Sequence, residues 1–140
     1  MITYINDNLF IGDQWDANSP PPFVTALLWV ALETPVAPPD HCVVARLPLR
    51  EFAKPDLVDL QGGVDWLTTH LPSQKILVAC RQGLGRSPSI VIAYLCCRKQ
   101  LSFQAAVDQV REKRPGTTPL PELSWVIEEL KAKETVENPR

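Results

Sequence analysis

A cysteine and an arginine six residues apart bracket the stretch with the most chemistry in this chain, Cys80-Arg81-Gln82-Gly83-Leu84-Gly85-Arg86-Ser87. Ahead of it lies Ile76-Leu77-Val78-Ala79, the short apolar run expected of a buried central strand. Behind it lies Pro88 to Cys97, which reads as a helix apolar on most faces. A loop entering a helix can turn several backbone N–H groups inward. The helix N-terminus then adds roughly half a positive charge. Gly83 and Gly85 permit backbone angles that a Cβ resists. Arg86 offers a planar fork that matches two oxygens of a phosphate. The thiolate is the nucleophilic form of cysteine, and a helix N-terminus beside a cation favours that form. The segment is therefore suited to hold a tetrahedral dianion, with the backbone of Arg81, Gln82, Gly83, Leu84, Gly85 and Arg86 around it and Cys80 beneath. Ser87 can cap the helix or donate a hydrogen bond to the sulfur. The competing reading is a buried, inert cysteine in a core turn. Chance placement of the glycine, arginine and serine at this spacing is about one in a thousand at ordinary residue frequencies.

The elements that must position this loop alternate between strand and helix, which predicts an α/β domain with a central, mostly parallel twisted sheet flanked by helices. Tyr4-Ile5 and Leu9-Phe10-Ile11 read as short strands around an Asn6-Asp7-Asn8 turn. Residues 24–30 and 43–49 read as further strands, separated by proline-rich loops at 18–22 and 34–40. Leu57, Leu60, Val64, Leu67 and Leu71 recur at helical spacing, although Gly62-Gly63 interrupts them. Ser102 is expected to cap a helix carrying Phe103, Ala106, Val107 and Val110, with Pro115-Gly116 as its stop. A last helix carries Leu120, Leu123, Ile127 and Leu130. One domain over residues 1–133 is predicted, followed by a polar, frayed tail at 134–140.

Cys-x-x-Gly-x-x-Arg-Ser resembles the phosphate loop of the protein tyrosine phosphatases. The continuation Pro88-Ser89-Ile90-Val91-Ile92-Ala93-Tyr94-Leu95 looks like their dual-specificity branch. Asn8-Leu9-Phe10-Ile11-Gly12 and Leu47-Pro48-Leu49 are similar to that branch as well, so the resemblance runs from about residue 3 to about residue 130. It implies a tyrosine-phosphatase-like fold with Cys80 as nucleophile, Arg86 as phosphate clamp and Ser87 as the hydroxyl that eases release of the thiolate. The family pattern places the general acid, usually aspartate, at Glu51. Glutamate has the right chemistry on a side chain one methylene longer. Asp56 is the alternative acid, and its competing role is to start a helix after Pro55. A second departure stands at Ala79, where the family usually has a histidine that helps order the loop and stabilise the thiolate. The implied activity is hydrolysis of a phosphomonoester through a phospho-cysteine. Its substrates are phosphotyrosine and also phosphoserine or phosphothreonine in proteins, or a small phosphomonoester. A pseudophosphatase that binds phosphorylated partners is the alternative. A rhodanese-like sulfurtransferase lacks the Gly-x-x-Arg-Ser ending, and phosphoinositides or RNA ends remain open as variant substrates.

The 140 residues suffice for one domain with a real core. Net charge is −2, which gives no basic signature for nucleic acid as a partner. No cofactor is expected, and no metal, since no cysteine or histidine pair has zinc-like spacing and Arg86 with the loop supplies the positive field. No apolar stretch reaches the ~18 residues of a membrane span. The first residues lack the features of a secretory signal, so a cytoplasmic monomer is the default expectation. Arg46, Arg50 and Arg81 divide between solvated surface and a basic approach to the loop. Cys96 and Cys97 are expected in the core. Cys42 reads as core or, alternatively, as a trap that captures oxidised Cys80 in a disulfide.

Overall fold

Four parallel strands end at the same edge of the sheet, and the loop at 80–87 leaves β5 from that edge. The computed structural model describes residues 1–137. In chain order the elements are β1 (Thr3–Tyr4), β2 (Leu9–Gly12), α1 (Gln14–Asn18), β3 (Ala26–Trp29), β4 (Val43–Arg46), α2 (Leu57–His70), β5 (Ile76–Ala79), α3 (Arg86–Arg98), α4 (Phe103–Lys113) and α5 (Leu123–Glu137). The sheet order is β1-β2-β5-β3-β4. Only β1 runs antiparallel, against β2. β5 is the centre, paired in parallel with β2 on one side and β3 on the other, so Gly12, Ala79 and Trp29 lie level. Trp29 is in turn level with Arg46 of β4. The turns after Gly12, Trp29, Arg46 and Ala79 consequently meet at the carboxyl ends of the strands, where open α/β sheets bind ligands.

Strands β2, β3 and β5 are buried along their whole length, as their uninterrupted apolar sequences require. Edge strand β4 is half covered, with Val43 and Arg46 exposed. Helix α3 is buried from Arg86 through Cys97, and it touches β2, β5, α2, α4 and α5. That all-round burial is why its sequence is apolar on most faces. Cys96 and Cys97 lie in this core, and burial pushes the Cys97 thiol up to about 12. Among the described residues no helix is long and apolar enough to cross a membrane.

Three sequence expectations change. The helix α1 was not foreseen. It is one short turn held by a capping box in which Asp13 accepts from the N–H of Trp15 and Asp16, while Asp16 accepts from the N–H of Asp13 at 2.9 Å. Gly62-Gly63 does not interrupt α2. A Cβ on Gly63 would lie 2.8 Å from Ile90 Cδ1 and 3.0 Å from Leu47 Cδ1, so glycine lets α2 approach α3 and the end of β4 closely. The helical cost of the glycine is offset by that packing. The expected tail at 134–140 is helical through Glu137, because Glu134 makes a two-pronged pair with Arg98 at 2.9 and 2.7 Å. The remainder of that tail, 138–140, lies outside the described residues.

The disulfide trap does not fit the sheet. Cys42 precedes Val43, which is level with Ala26 and Ile76, whereas Cys80 follows Ala79 at the opposite end of β5. Five residues of strand rise plus two strand spacings separate them by more than about 15 Å. A disulfide needs Cα atoms within about 7 Å. Both cysteines are free, and burial raises the Cys42 thiol.

Candidate active site

Cys80 leaves the end of β5 and turns back under its own loop. Its Sγ receives the Gly83 N–H at 3.2 Å and the Ser87 N–H at 3.4 Å, and Ser87 Oγ lies 3.2 Å away. The thiol is 3% exposed, at the floor of a cavity of about 250 Å³. Among the described residues the N–H groups of Arg81, Gln82, Leu84, Gly85 and Arg86 donate to no protein acceptor. Helix α3 adds to this set of donors. Helices α1, α2 and α4 are capped by Asp13, Asp56 and Ser102, but α3 has Gly85 at its N-cap and no side-chain cap. Its first-turn donors and its dipole face the loop.

The loop is tied down from several directions. Arg81 O accepts the Gln14 N–H of α1, Leu84 O accepts the Thr118 N–H at 2.7 Å, and Ser89 Oγ accepts the Leu120 N–H at 3.0 Å. From below, buried Arg114 donates Nε–H to Gly83 O and one Nη to Met1 O and Thr3 Oγ1. Burial lowers the Arg114 pKa. The side chain of Ala79 is fully buried and offers no polar group, and the hydrogen bonds that order the loop come from Gln14, from Arg114 and from 117–120. None of these contacts was legible in the sequence. Arg114 sits at the end of α4, where a basic residue reads simply as a partner of the helix dipole.

Gly83 is the position where the backbone requires glycine. Its φ is +73°, and a Cβ there would stand 2.6 Å from Gly12 O and collide with the Arg114 guanidinium. Gly83→Ala is expected to lower Tm by roughly 5–10 °C, from ~2 kcal/mol of strain and displacement. Anion affinity should fall more than tenfold in the same variant. Thermal melts with and without inorganic phosphate measure both, and an unchanged phosphate-induced shift would show that the loop tolerates a side chain.

Arg86 is 2% exposed and its fork is already engaged on one edge. Nη1 and Nη2 donate to Glu33 Oε1 and Oε2, each at 2.8 Å, and Nη1 also donates to Leu49 O at 3.2 Å. Burial works against the charge, but the bonds to Glu33 outweigh it and the Arg86 pKa is raised. The same hydrogen bonds lower the Glu33 pKa. The Nε–H has no protein acceptor among the described residues, which leaves that edge of the fork for a ligand. Glu33 was missed in the sequence. Its one signal is position, an acidic residue just past the carboxyl end of a buried parallel strand.

Glu51 reaches the cavity and Asp56 does not. Glu51 lines the wall with Phe52, Gln82, Leu84, Gly85, Arg86 and the 118–121 segment, and its Oε2 is 4.0 Å from Arg86 Nη2. Asp56 faces a separate cavity of about 680 Å³ behind the same loop, where its Oδ1 accepts the Val58 and Asp59 N–H groups. The geometry makes it the cap of α2. Arg46, Arg50 and Arg81 are exposed.

A model of the dual specificity phosphatase catalytic domain matches residues 55–133, which include the loop at 80–87 but neither Glu33 nor Glu51. Dual specificity protein phosphatase 5 of Homo sapiens is 31% identical over 98 residues, covering 69% of this chain and 26% of that protein. Phosphatidylglycerophosphate phosphatase PTPMT2 of Arabidopsis thaliana is 32% identical over 93 residues, covering 65% of this chain and 40% of its own. The chain thus spans about a quarter of the first relative and well under half of the second. Among solved structures, human DUSP28 shares the fold with a TM-score of 0.83 at 20% identity, over 99% of this chain and 100% of that one. Because the family model covers more than half of the residues and contains the anion loop, the chain belongs to the dual specificity phosphatase catalytic-domain family.

Proposed function

We propose that this domain hydrolyses phosphomonoesters through a phospho-cysteine. The observation that carries the reading is the Cys80 sulfur on the cavity floor beneath unpaired loop N–H groups, with Arg86 beside it and Glu51 across from it. Cys80 Sγ attacks phosphorus in line, so a P–S bond forms as the P–O bond to the leaving group breaks. The equatorial oxygens are held by the loop N–H groups and the free edge of Arg86, donors fixed in place before charge develops. Glu51 gives its proton to the departing oxygen. Water then attacks the phospho-cysteine, Glu51 takes a proton from it, and the thiolate leaves with the Ser87 hydroxyl donating to the sulfur. The product is inorganic phosphate and the acid is restored.

The wall of the cavity favours an aryl ester. Phe52, Leu84, Pro119, Leu120 and Pro121 form an apolar collar above the sulfur, suited to the ring of phosphotyrosine. The cavity is small and open enough that phosphoserine and phosphothreonine reach it as well. The natural partner in this reading is a phosphorylated protein. A second reading, a pseudophosphatase that binds phosphorylated partners without turnover, is favoured by the apolar Ala79 behind the cysteine. Turnover of a phosphotyrosine peptide separates the two; stoichiometric binding with no phosphate release would establish the second.

The acid is tested by Glu51→Gln. Expected is a fall in kcat on phenyl phosphate of about 10²- to 10³-fold, with loss of the basic limb of the pH–rate profile. On a nitrophenyl ester, whose leaving group barely needs a proton, the fall should be under tenfold. A basic limb that survives in the variant removes Glu51 from the role.

A further inference from the structure

The loop that carries Glu51 is held at few points. Leu49 and Pro55 are buried at its two ends, and the residues between them, Arg50 to Lys54, are not. Among the described residues no backbone–backbone hydrogen bond involves any residue from 48 to 55. The cavity of about 680 Å³ lies between the loop and Val126 and Glu129 of α5, so the loop spans open space there. Its own backbone preference works against it. Phe52 has a φ of +60°, in the left-handed region that a bulky side chain resists, and its ring is 81% exposed, so burial offsets none of that strain. A conformation of this kind persists only where other contacts impose it.

Two contacts do so. Arg86 Nη1 donates to Leu49 O at 3.2 Å, two residues before Glu51. Three residues after Glu51, the Lys54 ammonium lies over the Trp125 ring, 4.2 Å from its centroid. Lys54 makes no salt bridge among the described residues. Trp125 stands in the first turn of α5, where the helix dipole repels a cation, so the ring face is what attracts the ammonium. The geometry points to Lys54 and Trp125 as positioning residues: their cation–π contact ties the Glu51 loop to α5 and so holds the acid at the wall of the Cys80 cavity. Neither residue lines that cavity itself, so neither reaches a bound phosphate. With this tie gone, Arg86 holds the loop from one side only, and Phe52 is free to relax its backbone.

The inference rests on Glu51 as the general acid, and the test reads the loop and the acid separately. Exposed Phe52 offers chymotrypsin a site in the middle of the loop, and cleavage there follows the fraction of molecules with the loop released. Lys54→Met and Trp125→Leu are each expected to speed that cleavage about threefold, as for loss of one exposed cation–π pair, and the double variant no more than either alone. Trp125→Leu leaves the cleaved sequence untouched and is the cleaner of the two. Lys54→Arg keeps a cation for the ring and should restore the wild-type rate. In the same single variants kcat on phenyl phosphate should fall about two- to threefold with KM and inorganic phosphate affinity unchanged, and kcat on a nitrophenyl ester by less than about 1.5-fold. In the Glu51→Gln background Trp125→Leu should still speed cleavage and should slow phenyl phosphate no further. Unchanged cleavage in both single variants, additive effects in the double, or an equal loss on both esters overturns the proposal even if Glu51 is the acid. A basic limb that survives in Glu51→Gln, beside faster and non-additive cleavage, overturns only the acid assignment, and the tie between the loop and α5 stands.

Discussion

Cys80→Ser is expected to abolish turnover of an aryl phosphate by at least ~10⁴-fold while leaving inorganic phosphate affinity within about threefold. The two halves of this expectation come from different parts of the loop. In the proposed site, affinity comes from the N–H groups of Arg81, Gln82, Leu84, Gly85 and Arg86 and from the Arg86 side chain, none of which bonds to the sulfur. Turnover needs a nucleophile that is anionic before it attacks. A serine hydroxyl in this position has no base beside it in the proposed site, because Glu33 is engaged by Arg86 and the proposed role of Glu51 is to serve the leaving group. The Ser87 and Gly83 N–H groups would donate to a serine oxygen as they do to the sulfur, with Ser87 Oγ in hydrogen-bond reach, so the loop should keep its shape. Phosphate release and a phosphate titration on the same preparation check both halves. Residual turnover within a hundredfold of wild type would mean that the cysteine is not the attacking group, and a phosphate affinity lost with it would mean that the sulfur organises the loop rather than reacting.

Support for the loop carries the same lesson about where order comes from. The histidine that the family usually places before the cysteine is replaced by Ala79, wedged between Gly12 and Trp29 on the neighbouring strands. Order is supplied from other directions, with Arg114 holding Gly83 O and the 117–120 segment holding Leu84 O and Ser89. Each of these is a contact between residues more than thirty positions apart, or across the loop to a different element. Such contacts are set by tertiary packing, and a single sequence shows only the residue types.

That division explains what the sequence made legible. The loop at 80–87, strand β5 and helix α3 could be read because their signals are local: a short apolar run, glycines where the chain must turn, and a helix apolar all round. Ser102 as a cap could be read for the same reason. Gly62-Gly63 misled because glycine's local cost is visible and its packing against Ile90 and Leu47 is not. Asp56 carried both a chemical and a structural reading, and only the direction of its side chain decided for the cap. The family pattern singled out Glu51, which lines the cavity, whereas Glu33 lay outside that pattern as read and was missed. A carboxylate's partner can be 53 residues away, and nothing in spacing reveals it.

Arg86→Lys keeps the charge and loses the fork, and kcat/KM on an aryl phosphate is expected to fall by about 10³- to 10⁴-fold. In the wild-type protein one guanidinium meets Glu33 through two nitrogens, reaches Leu49 O, and still has an Nε–H to give. An ammonium has three donors on a single atom and cannot span these partners from one position. Pulled to the Glu33 carboxylate, it abandons the phosphate; pulled to the phosphate, it leaves Glu33 unpaired. Glu33 is half exposed and can be hydrated, so the second outcome should cost little stability. The variant is therefore expected to fold with nearly wild-type Tm and to fail in catalysis. Glu33→Gln combined with Arg86→Lys sharpens the result: freed from its carboxylate, the lysine should regain about tenfold in phosphate affinity, measured by the same titration. A lysine variant within tenfold of wild-type kcat/KM would show that the site needs a positive charge at this point but not the planar geometry of arginine.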